Sequence, residues 1–111
     1  MTINYDDFHK VEMHVGTVIA VDDFPEARKP AFKLTIDFGE TMGIKRTSAQ
    51  ITVLYTKETL LGRQVIAVTN FPKKQIGKFF SEVLVLGSVD TEGVVTLLQP
   101  EQNVANGLRI A

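Results

Sequence analysis

An all-β fold, closed into a small barrel, is predicted by three observations on this 111-residue sequence. Short runs rich in β-branched residues recur between turn signals, and one of them alternates strictly between apolar and polar residues. Only two short segments carry the signals that begin a helix. The length fits one domain with a single core, so we treat residues 1–111 as one domain.

The predicted strands follow one another from residue 15 to residue 98. In the clearest run, residues 32–38, four apolar side chains fall on one face and Gly39 ends the strand. Gly16 predicts a bulge or a close backbone approach, which a barrel needs where a strand curls sharply. The strand candidates are residues 15–21, 32–38, 44–54, 64–69, 83–86 and 94–98.

Two short helices and one loop are predicted outside these strands. Asp6 or Asp7 is a candidate cap for a turn or two of helix near the start of the sequence. Thr56 is the candidate cap of a second helix, which Gly62 would end. Residues 24–30 contain two prolines and are predicted to form a loop.

Five or six strands with one short helix midway match the five-stranded OB-fold barrel best. We place the barrel core at about residues 11–99. Residues 99–111 contain a proline, two asparagines and a glycine, so we expect them to run as an extension outside the barrel.

The formal net charge of −1 conceals an uneven distribution. Residues 1–23 hold five acids and one base, residues 24–80 hold four acids and ten bases, and residues 81–111 hold four acids and one base. A basic middle segment between acidic ends favours an anion-attracting face. The alternative is that these charges are spread over a solvated surface.

Catalytic and metal-binding patterns are missing from the sequence. There is no cysteine, and His9 and His14 have no converging set of further ligands. No nucleophile elbow, dinucleotide fingerprint or phosphate-binding loop is present. We therefore expect no enzyme activity, no cofactor and no metal. The absence of cysteines, of a signal-peptide pattern and of a long apolar run predicts a cytoplasmic protein that does not insert into membranes.

A stretch rich in lysine and phenylalanine, residues 70–82, is the strongest candidate binding surface. Lysines contact phosphates, and aromatic rings offer faces on which bases or apolar groups stack. Phe79 and Phe80 are neighbours, so in an extended backbone they point to opposite sides and one of them should be exposed. The candidate binding residues of this stretch are Phe71, Lys73, Lys74, Lys78 and Phe79.

Four polar residues point toward one end of the predicted barrel. Ser48 and Gln50 break the apolar rhythm of the third strand, Asn70 ends the fourth, and Ser81 precedes the fifth. Each has a structural interpretation, an exposed strand face or a turn, and a functional interpretation, a hydrogen bond to a ligand.

Five ordered blocks of the sequence resemble the tRNA-binding-domain family of OB-fold modules, and in particular its free-standing export-chaperone branch. The blocks are Val15-Gly16-Thr17-Val18, Phe24-Pro25-Glu26-Ala27, Thr47-Ser48-Ala49-Gln50-Ile51, Asn70-Phe71-Pro72 and Ser81-Glu82-Val83-Leu84-Val85-Leu86-Gly87. The resemblance implies a homodimer whose terminal extensions contribute to the interface. It also implies tRNA binding, and for the chaperone branch it implies unfolded or presecretory polypeptides and the Sec export machinery as partners.

The resemblance also carries site residues over by position. These are Ser48, Gln50, Asn70 and Ser81, with Lys73, Lys74 and Lys78 supplying charge. One departure is that Val83-Leu84 stands where modules attached to synthetases usually have Gly-Met. Two hypotheses follow: a chaperone that also binds tRNA, and a protein that primarily binds structured tRNA. A purely structural interaction module is the third hypothesis.

Overall fold

The computed structural model describes all 111 residues and contains nine strands and three short helices. The strands are β1 (Met13–Asp23), β2 (Phe32–Asp37), β3 (Ile44–Ala49), β4 (Gln64–Val68), β5 (Lys74–Ile76), β6 (Phe79–Ser81), β7 (Leu84–Val85), β8 (Gly87–Val89) and β9 (Val95–Leu97). The helices are α1 (Tyr5–His9), α2 (Gly39–Met42) and α3 (Lys57–Leu60).

Five antiparallel strands form the barrel in the order β3-β2-β1-β4-β7. The ends of this sheet approach each other, because the Glu82 amide donates a 2.8 Å hydrogen bond to the Arg46 carbonyl of β3. The hairpins β5–β6 and β8–β9 stand beside the barrel as separate two-stranded sheets. The predicted all-β class and five-stranded OB-fold barrel are confirmed.

The long strand β1 bends and pairs with two neighbouring strands. Its first half pairs with β4 and its second half with β2, with a register shift between Val18 and Ala20. Gly16 lies where a side chain would not fit, since an added Cβ would stand 2.5 Å from Cγ2 of Ile36. The close contact at Gly16 is made by the side chains of Ile36 and Phe38 and not by another backbone, and the bulge lies a few residues later.

The barrel core follows the alternation of β2. Leu34, Ile36 and Phe38 are fully buried, as their spacing predicted, and they pack in one cluster with Val18 from β1 and Leu60 from α3. The residues of β2 that alternate with them point away from the core, so their side chains are accessible on the outer face of the barrel.

The two predicted helices exist, but the first begins differently. The cap of α1 is Asn4, which accepts from the Asp7 amide while the Asp7 carboxylate accepts from the Asn4 amide. The prediction of Asp6 or Asp7 as cap was wrong, because Asp7 fills the third position of a capping box instead. Thr56 caps α3 as predicted.

Three parts of the secondary structure differ from the sequence prediction. The basic stretch 70–82 contains a hairpin, and Gly77 supplies the left-handed residue of its turn at φ 61°. Strand β3 ends at Ala49, five residues earlier than predicted. Strand β8 and helix α2 were not predicted, because runs of three or four residues are too short to show a period.

The C-terminal segment extends the sheet along the first half of β1. The Val15 amide donates a hydrogen bond to the Leu108 carbonyl at 3.0 Å, and the Ile110 amide donates one to the Met13 carbonyl at 2.9 Å. His14 and Arg109 form the bridge between these hydrogen bonds. None of the helices combines the length and apolar character needed to cross a bilayer.

A candidate ligand groove beside strands β2 and β3

A groove of about 580 Å³ lies between loop 24–31, which joins β1 to β2, and the β5–β6 hairpin. We call it the Phe24–Phe79 groove. It is lined by Phe24, Glu26, Lys33, Arg46, Ile76, Gly77, Lys78 and Phe79. In OB-folds, the face of the second and third strands and the loops flanking it bind oligonucleotides, and this groove occupies that position.

Two phenylalanine rings form the floor of the groove. The centroids of Phe24 and Phe79 lie 5.3 Å apart with their planes at 61°, the edge-to-face arrangement that aromatic pairs prefer. Both rings are buried and pack with Ala31 in a small cluster separate from the barrel core. This second cluster packs loop 24–31 against the hairpin, so the two walls of the groove contact each other at its floor.

Two cations lie over these rings. Nζ of Lys33 is 4.8 Å from the centroid of Phe24 and 5.5 Å from that of Phe79. Cζ of Arg46 is 4.9 Å from the centroid of Phe79. The negative faces of the rings attract both cations and so favour the positions that these side chains occupy.

Carboxylates of the same chain stand beside these cations. Oε2 of Glu26 lies 3.7 Å from Nζ of Lys33, and Oδ2 of Asp22 lies 3.9 Å from Nη2 of Arg46. The carboxylates are largely open to solvent, so salt screens both pairs and each contributes little to stability. Each carboxylate still places a negative charge beside one groove cation.

A buried hydroxyl on the core side of β3 joins that strand to the hairpin and to the residue that follows Glu82. Thr47 Oγ1 donates to the Val83 carbonyl at 2.6 Å and lies 2.8 Å from Ser81 Oγ. The Ser48 amide donates to the same Ser81 oxygen at 3.3 Å. Ser48 also lies opposite Lys33 in the β2–β3 ladder, which places its side chain beside the groove.

The hairpin places the predicted residues at different distances from the groove. Lys78 and Phe79 line it, and Lys74 lies opposite Ser81 in the β5–β6 ladder. Phe79 is buried whereas Phe80 is half-exposed, as their adjacency predicted. Lys73 lies 3.7 Å from the carboxylate of Glu82.

Other predicted residues lie away from the groove lining. Gln50 is exposed just beyond the end of β3, and Phe71 is exposed before the hairpin begins. Asn70 binds the N-terminal segment, since its Oδ1 accepts from the Glu12 amide and its Nδ2 donates to the Lys10 carbonyl. The structure thus groups Ser48, Ser81, Lys78 and Phe79 and separates them from Asn70.

Sequence reasoning missed Phe24, Lys33 and Arg46 as groove residues. They come from a loop and two strands, and only the strand register and the Phe24–Phe79 contact bring them together. Lys33 carried one usable signal, because it lies on the polar side of the cleanly alternating run that became β2.

Comparison with known proteins identifies the family. A model of the putative tRNA-binding domain matches residues 13–109. The chain belongs to this family. Within it, two solved structures of CsaA chaperones are similar over the full length. The CsaA from Bacillus anthracis str. Ames is 49% identical with a TM-score of 0.95, and each chain is covered completely. The CsaA from Picrophilus torridus is 50% identical with a TM-score of 0.92, covering 99% of this chain and all of the other.

Family members also include parts of much larger enzymes. The methionine–tRNA ligase of Porphyromonas gingivalis (strain ATCC 33277) is 31% identical over 97% of this chain, but the match covers 15% of the ligase. The chain thus spans about 15% of the length of the curated relatives it matches. The family is therefore shared between tRNA ligases and proteins of about the length of this chain.

Proposed function

We propose that this chain is a non-enzymatic, homodimeric chaperone that binds unfolded or presecretory polypeptides in the cytoplasm for Sec-dependent export, with tRNA as a second ligand. The observation that carries this proposal is the full-length similarity to two CsaA chaperones at about half identity. The Phe24–Phe79 groove supports it with a binding surface of suitable chemistry.

Polypeptide binding follows from the apolar residues of the groove and from an exposed ring on the neighbouring hairpin. Phe24, Phe79 and Ile76 line the interior, and Phe80 is half-exposed on the hairpin. Burial of apolar surface contributes about 25 cal/mol per Å² before the cost of ordering the polypeptide is subtracted.

The homodimer is supported by an apolar face on the outside of the barrel. Val65 and Ala67 of β4 point into the core, so the alternate residues of β4 point outward. Their neighbours across the sheet are apolar as well. One outward row contains Ile110, Met13, Val68 and Leu84, and the next contains Leu108, Val15, Ile66 and Leu86.

This outward face, which we call the Leu84 face, is only partly covered within one chain. Leu84 is 49% exposed and Leu108 is 50% exposed, whereas Val15 and Val68 between them are buried. Contiguous apolar surface of this kind commonly marks a protein–protein interface. A second copy of the chain placed there would cover both exposed leucines, and the terminal segments would form part of the contact.

The chaperone proposal is tested by suppression of aggregation. The purified protein should slow the aggregation of a denatured precursor at one dimer per substrate, as followed by light scattering. An Ile76→Ser variant should suppress aggregation less, because it removes apolar surface from the groove lining. Val89→Ser is the matched control on the β8–β9 hairpin. A wild-type protein without effect at stoichiometric dimer would rule out the chaperone function.

A protein that primarily binds tRNA is the second candidate. It is favoured by the family match and by the three cations of the groove, Lys33, Arg46 and Lys78. Titrations with bulk tRNA and with an unfolded precursor at two salt concentrations separate the candidates. Electrostatic binding of tRNA should fall steeply with salt, whereas apolar binding of polypeptide should persist.

A further inference from the structure

Each cation over the groove floor is matched by a carboxylate from its own chain. The side chain of Lys33 is 23% exposed, and its nearest carboxylate oxygen belongs to Glu26, at 3.7 Å. Arg46 has the same relationship with Asp22, at 3.9 Å. Among the groove cations only Lys78 has no carboxylate partner.

The carboxylates are more exposed to solvent than the cations with which they pair. Glu26 is 63% exposed and Asp22 is 64% exposed, both more than their basic partners. Asp22 lies opposite Lys33 in the β1–β2 ladder, and Glu26 comes from loop 24–31, so both stand at the same side of the groove. A ligand that approaches Lys33 or Arg46 therefore meets a negative charge beside each positive one.

We propose that Glu26 and Asp22 are specificity-determining residues that make the groove favour an uncharged polypeptide segment over a phosphodiester chain. A phosphate that binds Lys33 must displace Glu26 or lie beside a like charge, and both cost free energy. A polypeptide segment without charge leaves both ion pairs in place and contacts the rings. The inference rests on the proposed function, because it assumes that ligands enter this groove.

The inference predicts different behaviour for the two ligands when the carboxylates are neutralised. Glu26→Gln and Asp22→Asn preserve side-chain size and release Lys33 and Arg46 from their partners. At low salt we expect the affinity for tRNA to rise about two- to fivefold for each carboxylate removed, the range of an exposed ion pair. We expect the affinity for an uncharged peptide to stay within about twofold, since the ring surface is unchanged.

The experiment compares three proteins: wild type, the Asp22→Asn/Glu26→Gln double variant and a Glu92→Gln/Glu101→Gln double variant. The last makes the same change in net charge at exposed positions that form no ion pair. Bulk tRNA is titrated by filter binding, and a short synthetic peptide without ionisable side chains by calorimetry. The expected result is a gain in tRNA affinity for the groove variant that clearly exceeds that of the control.

Two results would overturn the inference and leave the proposed function standing. The first is a gain in tRNA affinity no larger than that of the Glu92→Gln/Glu101→Gln control. The second is an equal change in the affinities for tRNA and for the peptide. A wild-type protein that binds neither ligand would instead overturn the proposed function, and the inference with it.

Discussion

Nδ2 of Asn70 donates a 2.7 Å hydrogen bond to the carbonyl oxygen of Lys10, so the end of β4 holds the N-terminal segment against the barrel. The same side chain accepts from the Glu12 amide at 3.0 Å. Both functional groups of this amide therefore serve the fold. Family resemblance places Asn70 among ligand-binding residues, and its contacts show that it also holds the N-terminal segment.

Replacing Asn70 by alanine should lower stability more than ligand affinity. Removal of two hydrogen bonds to backbone groups should cost about 1 to 2 kcal/mol in the free energy of unfolding. Urea denaturation measures this cost, and a tRNA titration should give an affinity within about twofold of wild type. A stable variant with a strongly reduced affinity would instead place Asn70 in the ligand site.

Thr47→Val should destabilise the protein although the two side chains have nearly the same shape. The buried Thr47 hydroxyl donates to the Val83 carbonyl and contacts Ser81, and valine would leave these partners unsatisfied. The expected cost is about 1 to 3 kcal/mol in the free energy of unfolding. Thr96→Val, at an exposed position of β9, is the control and should change the denaturation midpoint little.

If the proposed homodimer forms through the Leu84 face, Leu84→Glu should shift it to monomer. The glutamate would place a charge within the apolar Leu84 face, where a partner subunit could not solvate it. Sedimentation equilibrium over a range of concentrations measures the change in mass. Val89→Glu introduces the same charge at an exposed residue of β8 and should leave the assembly unchanged. If both variants remained dimeric, the interface would have to lie elsewhere.

Charge reversal on the hairpin should weaken tRNA binding in a salt-dependent way. Lys74→Glu removes an exposed cation of β5 that forms no ion pair within the chain. If Lys74 binds one phosphate, the slope of log affinity against log salt should become shallower by about 0.9 in the variant. Titrations at several salt concentrations measure the slope, with Lys10→Glu as the control outside the hairpin. An unchanged slope would exclude Lys74 from the phosphate contacts.

The sequence predicted the barrel better than it predicted the groove, and the reason lies in the range of the interactions. The strand around Leu34 and Ile36 is specified by a local period, so neighbouring residues were enough to predict it. Helix α3 could be predicted for the same reason, because its capping box joins Thr56 and Thr59, which are close in the sequence. Elements of this kind require no knowledge of distant partners.

The groove depends on contacts between segments far apart in the sequence. Phe24 and Phe79 meet only after loop 24–31 and the hairpin have docked, and Arg46 reaches them from a third segment. The pairing of carboxylates with the groove cations could not be predicted from the sequence for the same reason. A count of charges along the chain predicted a basic region, but it could not predict that Glu26 would stand 3.7 Å from Lys33.

The pairing of the C-terminal segment with β1 has a kinetic consequence. Arg109 also donates to the carbonyl of His9, 100 positions away along the chain, so these contacts close one of the longest loops in the molecule. Contacts between distant segments are expected to form late in folding, and segments at chain ends open most readily. Each opening event would uncover apolar residues of the Leu84 face, including Val15. Amide hydrogen exchange at Val15 and Ile110 would then report how often this surface becomes accessible, and association of two chains should slow that exchange.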